Sequence, residues 1–187
     1  MGLTVSFDLN YRKKLWKWGR KAGEVMQELV LYADIAIGNE EDADKVFGIK
    51  APEADVKAGK LDSGKYQFVV EELMKRFPHL KKVAVTLRGS ISASHNTWTG
   101  ILYDGKDLYT GLQLDITHIV DRVGGGDSFM AGLIYGLLTF KDNLQKVINL
   151  AVAASCLKHS ISGDFNMVSA AEVGNLMGGN ISGRISR

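Results

Sequence analysis

The chain has one cysteine, Cys156, among its 187 residues, so no intrachain disulfide can hold it together. That thiol lies in an apolar helical pattern, where packing in a core is its ordinary role. Long hydrophobic runs are missing as well. None approaches the roughly 18 apolar residues of a membrane span, and the N-terminus has no secretory signal pattern. A reducing cytoplasm is the expected location, with no membrane partner. Nor does one charge dominate: 23 basic and 21 acidic residues leave a net charge of +2. The charges are interspersed, which gives no reason to expect nucleic acid or an acidic partner. Internal repeats and low-complexity tracts are absent. What is left, 45% apolar and 24% charged residues, is the composition of one globular domain with a substantial core.

The most informative stretch is Asp121-Arg122-Val123-Gly124-Gly125-Gly126-Asp127-Ser128-Phe129, which runs into an apolar segment over 130–138. Three consecutive glycines leave no Cβ in the way, so the backbone can take unusual dihedrals and approach a ligand closely. A helix beginning at or next to Asp127 would point unpartnered N–H groups and a partial positive charge at an anion. Asp127 adds a carboxylate able to take a proton from a hydroxyl. A base beside a cradle for phosphate charge is what phosphoryl transfer to an alcohol needs. The plainer reading is that Asp127 caps a helix and the glycines turn the chain. The stretch is neither a P-loop, lacking Lys-Ser or Lys-Thr after the glycines, nor a dinucleotide fingerprint, since Phe129 stands where glycine or alanine is needed.

Residues 3–7 read as a short buried strand ending in Asp8-Leu9-Asn10-Tyr11-Arg12. Alternation puts Asp8, Asn10 and Arg12 on one side for as long as the extended geometry persists. Residues 13–32 have the spacing of an amphipathic helix, either continuous or broken near Gly19 or Gly23, with Trp16 as a packing or rim residue. A strand over 34–37 leads to Asn39, a good N-cap for a helix whose first turn carries Glu40, Glu41 and Asp42 and which Gly48 closes. Residues 49–63 form a polar loop or short excursion. A helix over 66–77 stops at Pro78, and a strand over 82–87 ends in a turn, Thr86-Leu87-Arg88-Gly89-Ser90. An antiparallel meander follows, with turns at Thr99-Gly100 and Asp104-Gly105, then a strand over 114–119. Residues 128–138 form a helix whose Gly132 and Gly136 permit packing against the sheet. A long helix opened by Asp142 runs to Leu157 or Lys158, and a short one spans 170–177 before a polar tail. This order predicts an α/β fold around a mostly parallel sheet.

Asp-Arg-Val-Gly-Gly-Gly-Asp-Ser-Phe-Met-Ala-Gly closely resembles the C-terminal signature of the ribokinase-like (PfkB) family of sugar kinases. Asp-x-Asn-x-Arg after a strand, and the run Leu157-Lys158-His159 through Gly163-Asp164-Phe165-Asn166, resemble the branch acting on 2-keto-3-deoxygluconate. The resemblance implies Asp127 as general base, with Gly124, Gly125 and Gly126 as the anion hole. It implies Thr86, Arg88, Gly89 and Ser90 as a nucleotide-binding turn, and Asn39 with Asp42 as organisers of phosphate and, through water, Mg2+. Asp8, Asn10, Arg12 and Asp164 would face the sugar, and the planar fork of Arg12 suits a carboxylate. Asp121 would orient the glycine loop or help to bind a monovalent cation, although a simple salt bridge would look the same. The implied fold is a three-layer sandwich, and the implied activity is ATP-dependent phosphorylation of 2-keto-3-deoxygluconate to its 6-phosphate. A fructokinase or ribokinase type, and a non-catalytic nucleotide-binding fragment, stay open as alternatives, and a homo-oligomer is compatible with each. The match covers almost the whole chain but only the family's C-terminal half. The expectation is therefore the nucleotide-binding portion of a single ribokinase-like domain, without the amino-terminal di-glycine motif and substrate lid.

Overall fold

A computed structural model describes residues 2–39, 41–51 and 63–179. Most of the expected 49–63 loop, Glu40 and the tail beyond 179 lie outside the described residues. The elements are β1 (Ser6–Asp8), α1 (Ala22–Val30), β2 (Ile35–Asn39), α2 (Asp42–Phe47), α3 (Ser63–Arg76) and β3 (Lys82–Ser90). They continue with β4 (Asn96–Tyr103), β5 (Leu108–Thr110), β6 (Leu114–Ile116), α4 (Gly125–Phe140), α5 (Leu144–Lys158) and α6 (Ala170–Met177). The chain divides into two compact units, Met1–Arg88 with Ile101–Tyr109, and Gly89–Gly100 with Thr110–Arg187.

In the first unit the strand order is β1-β2-β3-β4-β5. β1 pairs with β2 and β2 with β3, both parallel, with Asp8 opposite Ile37 and Asn39 opposite Thr86. Parallel pairing brings the carboxyl ends of β1, β2 and β3 to one end of the sheet, where open α/β sheets bind ligands. β2 and β3 are nearly continuous runs of buried residues, as strands covered on both faces must be. Val30, Val70, Leu73, Val83, Leu87 and Ile101 belong to the resulting core.

In the second unit the first residues of β4 pair antiparallel with β6, Asn96 opposite Ile116 and Trp98 opposite Leu114. α4 lies directly on α5. A Cβ on Gly132 would come within 2.9 Å of the Ala151 Cα, and one on Gly136 within 3.2 Å of the Val147 Cα. The expected contact of these glycines with the sheet is thus replaced by helix–helix contact, for which small facing residues are what permits close approach.

One expectation of local structure is settled and three change. Of the two readings of 13–32, the broken one holds: the helix forms only from Ala22, because Gly19 at φ +96° turns the preceding segment. Trp16 in that segment packs, partly buried, on the first unit's core, as expected of it. The strand at 82 extends to Ser90, so Arg88, Gly89 and Ser90 are strand residues rather than a turn. No turn forms at Thr99-Gly100, since β4 is continuous to Tyr103. The Asp104-Gly105 turn is present: Gly105 has φ +93°, and the Asp104 Oδ1 accepts from the N–H groups of Lys106 and Asp107. Finally, Asn143 rather than Asp142 caps α5, its side chain accepting from the Lys146 N–H.

Candidate active site

In the second unit the glycine stretch becomes the start of α4. Gly124 is the N-cap, in the left-handed conformation at φ +79°, and Gly125, Gly126 and Asp127 form the first turn. A Cβ on Gly124 would collide with the carbonyl oxygen of Asp164, so backbone dihedral and packing both demand glycine there. Gly125 is buried, and a Cβ on it would come within 3.0 Å of the His159 ring. Around Gly126 there is open space. Its amide and that of Asp127 have no hydrogen-bond partner among the described residues, since Gly125 donates to Arg122 and Ser128 to Gly124. Two free N–H groups thus sit at the positive end of a 16-residue helix. The exposed carboxylate of Asp127 stands with them, free of hydrogen bonds and ion pairs among the described residues. It does not cap the helix, because the N-cap is Gly124 and no side chain fills that role.

Buried polar groups brace the loop from behind. The Ser155 hydroxyl donates to the Gly125 carbonyl at 2.7 Å, and the His159 Nδ1–H donates to the Ser155 carbonyl at 2.8 Å. The carbonyl of His159 in turn accepts from the Val120 and Asp121 N–H groups. Trp98 packs on the His159 ring with centroids 4.9 Å apart. Asp121 accepts from the Val123 N–H at 3.0 Å and from the Gly163 N–H at 2.9 Å, tying the loop to the 163–164 turn. Those two bonds, and then the charge of Lys158, hold its carboxyl below the usual range. Ser155, Lys158 and His159 were not among the residues expected at the site. Their signal was in the sequence: three polar residues at i, i+3 and i+4 at the end of α5, after the apolar run over 150–154, share one face. Asp164 is exposed, and its backbone packs on Gly124. Ser90 is exposed at the end of β3, while the Gly89 carbonyl accepts from the Thr97 hydroxyl at 3.4 Å.

In the first unit, Asp8 and Asn39 end β1 and β2, and Asn39 pairs opposite Thr86 in the middle of β3. The Asn39 side chain accepts from the N–H groups of Glu41 and Asp42, and the Asp42 carboxylate accepts from the Asn39 N–H at 2.8 Å. The other Asp42 oxygen accepts from the Tyr11 N–H at 3.0 Å. Burial raises the Asp42 pKa, and the bonds from Asn39 and Tyr11 oppose that rise. Asp8 accepts from the Asn10 N–H at 3.1 Å, and Asn10 takes φ +34°. That dihedral breaks the extended geometry, so strand alternation does not carry through to the exposed Arg12. Thr86 is buried and its hydroxyl donates to the Gly38 carbonyl at 3.4 Å, whereas Arg88 is exposed. No cluster of three His, Cys, Asp or Glu side chains suited to a metal ion occurs among the described residues.

Residues 2–170 match the model of the pfkB family of carbohydrate kinases. The chain belongs to that family. Its fold is ribokinase-like: a 2-dehydro-3-deoxygluconokinase from Thermotoga maritima superposes with a TM-score of 0.84 at 42% identity, covering 95% of this chain and 51% of that one. An ATP-dependent 6-phosphofructokinase of Thermoanaerobacterium thermosaccharolyticum is 29% identical over 83% of this chain and 40% of its own length. A 2-dehydro-3-deoxygalactonokinase of Haloferax volcanii is 25% identical over 97% of this chain and 49% of its own length. The chain thus spans half or less of the length of these two curated relatives.

Proposed function

We propose that this chain carries the phosphoryl-transfer machinery of an ATP-dependent sugar kinase, with Asp127 as general base. The observation that carries the reading is the pairing, at the start of α4, of two free amides with a carboxylate that has no hydrogen-bond or ion-pair partner among the described residues. The acceptor's primary hydroxyl attacks the γ-phosphorus of ATP, its proton passes to a carboxylate oxygen of Asp127, and the β–γ bridging P–O bond breaks to leave ADP. The N–H groups of Gly126 and Asp127 hold the negative charge on the phosphoryl oxygens, and Gly124 and Gly125 set their direction. Mg2+ accompanies the nucleotide phosphates. Asp42, which the family resemblance gives to hydrated metal, has each carboxylate oxygen engaged by a backbone N–H, and we assign it to bracing the Asp8–Arg12 turn. Thr86, Arg88, Gly89 and Ser90 serve the nucleotide, and Asn39 the phosphates. The proposed acceptor is 2-keto-3-deoxygluconate, supported by 42% identity to the Thermotoga enzyme of that name. Asp8, Asn10 and Asp164 would contact its hydroxyls and Arg12 its carboxylate.

In a chain extended to the length of the relatives, Asp127→Asn should retain nucleotide affinity, since the amide is nearly isosteric. Turnover should drop by about two to four orders of magnitude, the usual worth of a positioned base. Turnover near that of the unaltered enzyme would remove Asp127 from the chemistry. Arg12→Leu tests the acceptor. Losing a charge-assisted bond of about 1.5–3 kcal/mol should raise KM for the keto acid about tenfold or more and leave KM for fructose nearly unchanged. Equal losses on both sugars would point to a fructokinase type.

A further inference from the structure

Lys158 is fully buried at the C-terminal end of α5, an unusual place for a lysine unless partners replace the water its ammonium gives up. Its Nζ donates to the Ile161 carbonyl at 2.9 Å. Its Cε lies 3.1 Å from the point where a Cβ on Gly124 would sit, directly behind the loop that opens α4. The Asp121 carboxylate bonds the Val123 and Gly163 amides, and so reaches both the glycine loop and the turn that Lys158 bonds. A carbonyl and a glycine loop therefore lie against one positive charge, and the Asp121 carboxylate holds the 161–163 turn that this charge bonds.

A carboxylate with neighbouring backbone carbonyls is a donor set for a monovalent cation, and Asp121 was expected to contribute to such a site. The residues present do not fit a bound ion, because a side-chain ammonium already occupies the Ile161 carbonyl. We propose that Lys158 is the resident cation of the glycine loop, covalently supplied. Its charge balances Asp121, its hydrogen bond fixes the 161–163 turn, and its stem supports Gly124 from behind. A free potassium or sodium ion would then have no part in ordering this loop. The structural claim stands without the kinase reading; only its consequence for nucleotide binding rests on that reading.

Thallium(I), a heavy monovalent cation close to potassium in size, is the probe. Crystals of the full chain soaked in a thallium salt should show no anomalous peak within coordination distance of Asp121 and the Ile161 carbonyl. The melting temperature should also be unchanged when potassium chloride is exchanged for choline chloride at equal ionic strength. Lys158→Met, which keeps the stem and removes the charge, should melt lower in choline and recover on adding potassium. A thallium peak beside Asp121 in the unaltered protein would overturn the proposal. So would a Lys158→Met protein that melts at the unaltered temperature in choline. Should that variant fail to fold, the soak of the unaltered protein still decides. Failure of a chain extended to the length of the relatives to bind ATP, with no thallium at Asp121, would count against the kinase reading and leave the resident cation standing.

Discussion

Three adjacent glycines read alike in sequence and have different jobs in the fold. Gly124 carries the positive φ and faces the Asp164 carbonyl, Gly125 faces a histidine ring, and Gly126 faces open space. Gly124→Ala should therefore be costly: a left-handed residue with a Cβ loses about 1–2 kcal/mol, and the clash with Asp164 adds to it. Gly126→Ala, at an open first-turn position, should cost nothing or stabilise by about 0.5–1 kcal/mol, as alanine does in helices. Thermal melts of the two variants give the comparison, and equal losses would show that the loop is not held where the Asp164 carbonyl blocks Gly124. Asp127 contrasts with both. Under the proposed mechanism its identity matters through what is absent around its carboxylate, since a carboxylate committed to a hydrogen bond or an ion pair would be a poorer base.

At the scale of elements, the junction of β2 and α2 is a closed circuit of hydrogen bonds. Asn39 serves α2 from the end of β2, while Asp42 reaches back to the Asn39 amide and across to Tyr11. Helix capping was the plain expectation for these residues, and capping is what Asn39 does, two residues before the formal N-cap Glu41. The tie from Asp42 to Tyr11 was not legible, because it joins positions 31 apart that only parallel pairing of β1 and β2 brings together. Asp42→Ala leaves two N–H groups without acceptors, at about 1–3 kcal/mol each. After relief of the buried charge, a net loss of roughly 2–4 kcal/mol is expected in chemical denaturation. Asp44→Ala, on the same helix, should change stability by less than about 0.5 kcal/mol. A similar midpoint for the two variants would demote Asp42 to a surface acid.

For the whole molecule, coverage sets the prediction. The chain matches 51% of the Thermotoga kinase, so that enzyme has about as much chain again to hold substrates in place. Orientation of bound reactants accounts for about 7–11 kcal/mol of a barrier, more than a retained base can return. The polypeptide as given should therefore show negligible turnover with ATP, Mg2+ and 2-keto-3-deoxygluconate in a coupled ADP assay. β1, an edge strand among the described residues, and exposed Leu3, Leu31 and Tyr32 in the first unit favour self-association, which light scattering would detect. Turnover of about 1–100 per second from a monodisperse monomer would refute this. Activity appearing on addition of a separately made amino-terminal half would support it.

Local chemistry was enough to read the order of strands and helices, because period, caps and glycines act over a few residues. It placed α6 at its observed bounds and located the glycine loop at the start of α4. It left open whether the 13–32 segment breaks, which a φ of +96° at Gly19 decides, and it ended β3 too early, where ladder pairing overrides periodicity. The tertiary structure alone decided which side chains stand behind the loop. Ser155, Lys158 and His159 share a helical face by spacing, but only the packing of α5 beneath Gly124 and Gly125 turns that face into a brace. An ammonium can stay out of water only where folding has already gathered its partners. That is why nothing singled out Lys158 in sequence beyond the end of a helix, until folding brought its ammonium to the Ile161 carbonyl and its stem against Gly124.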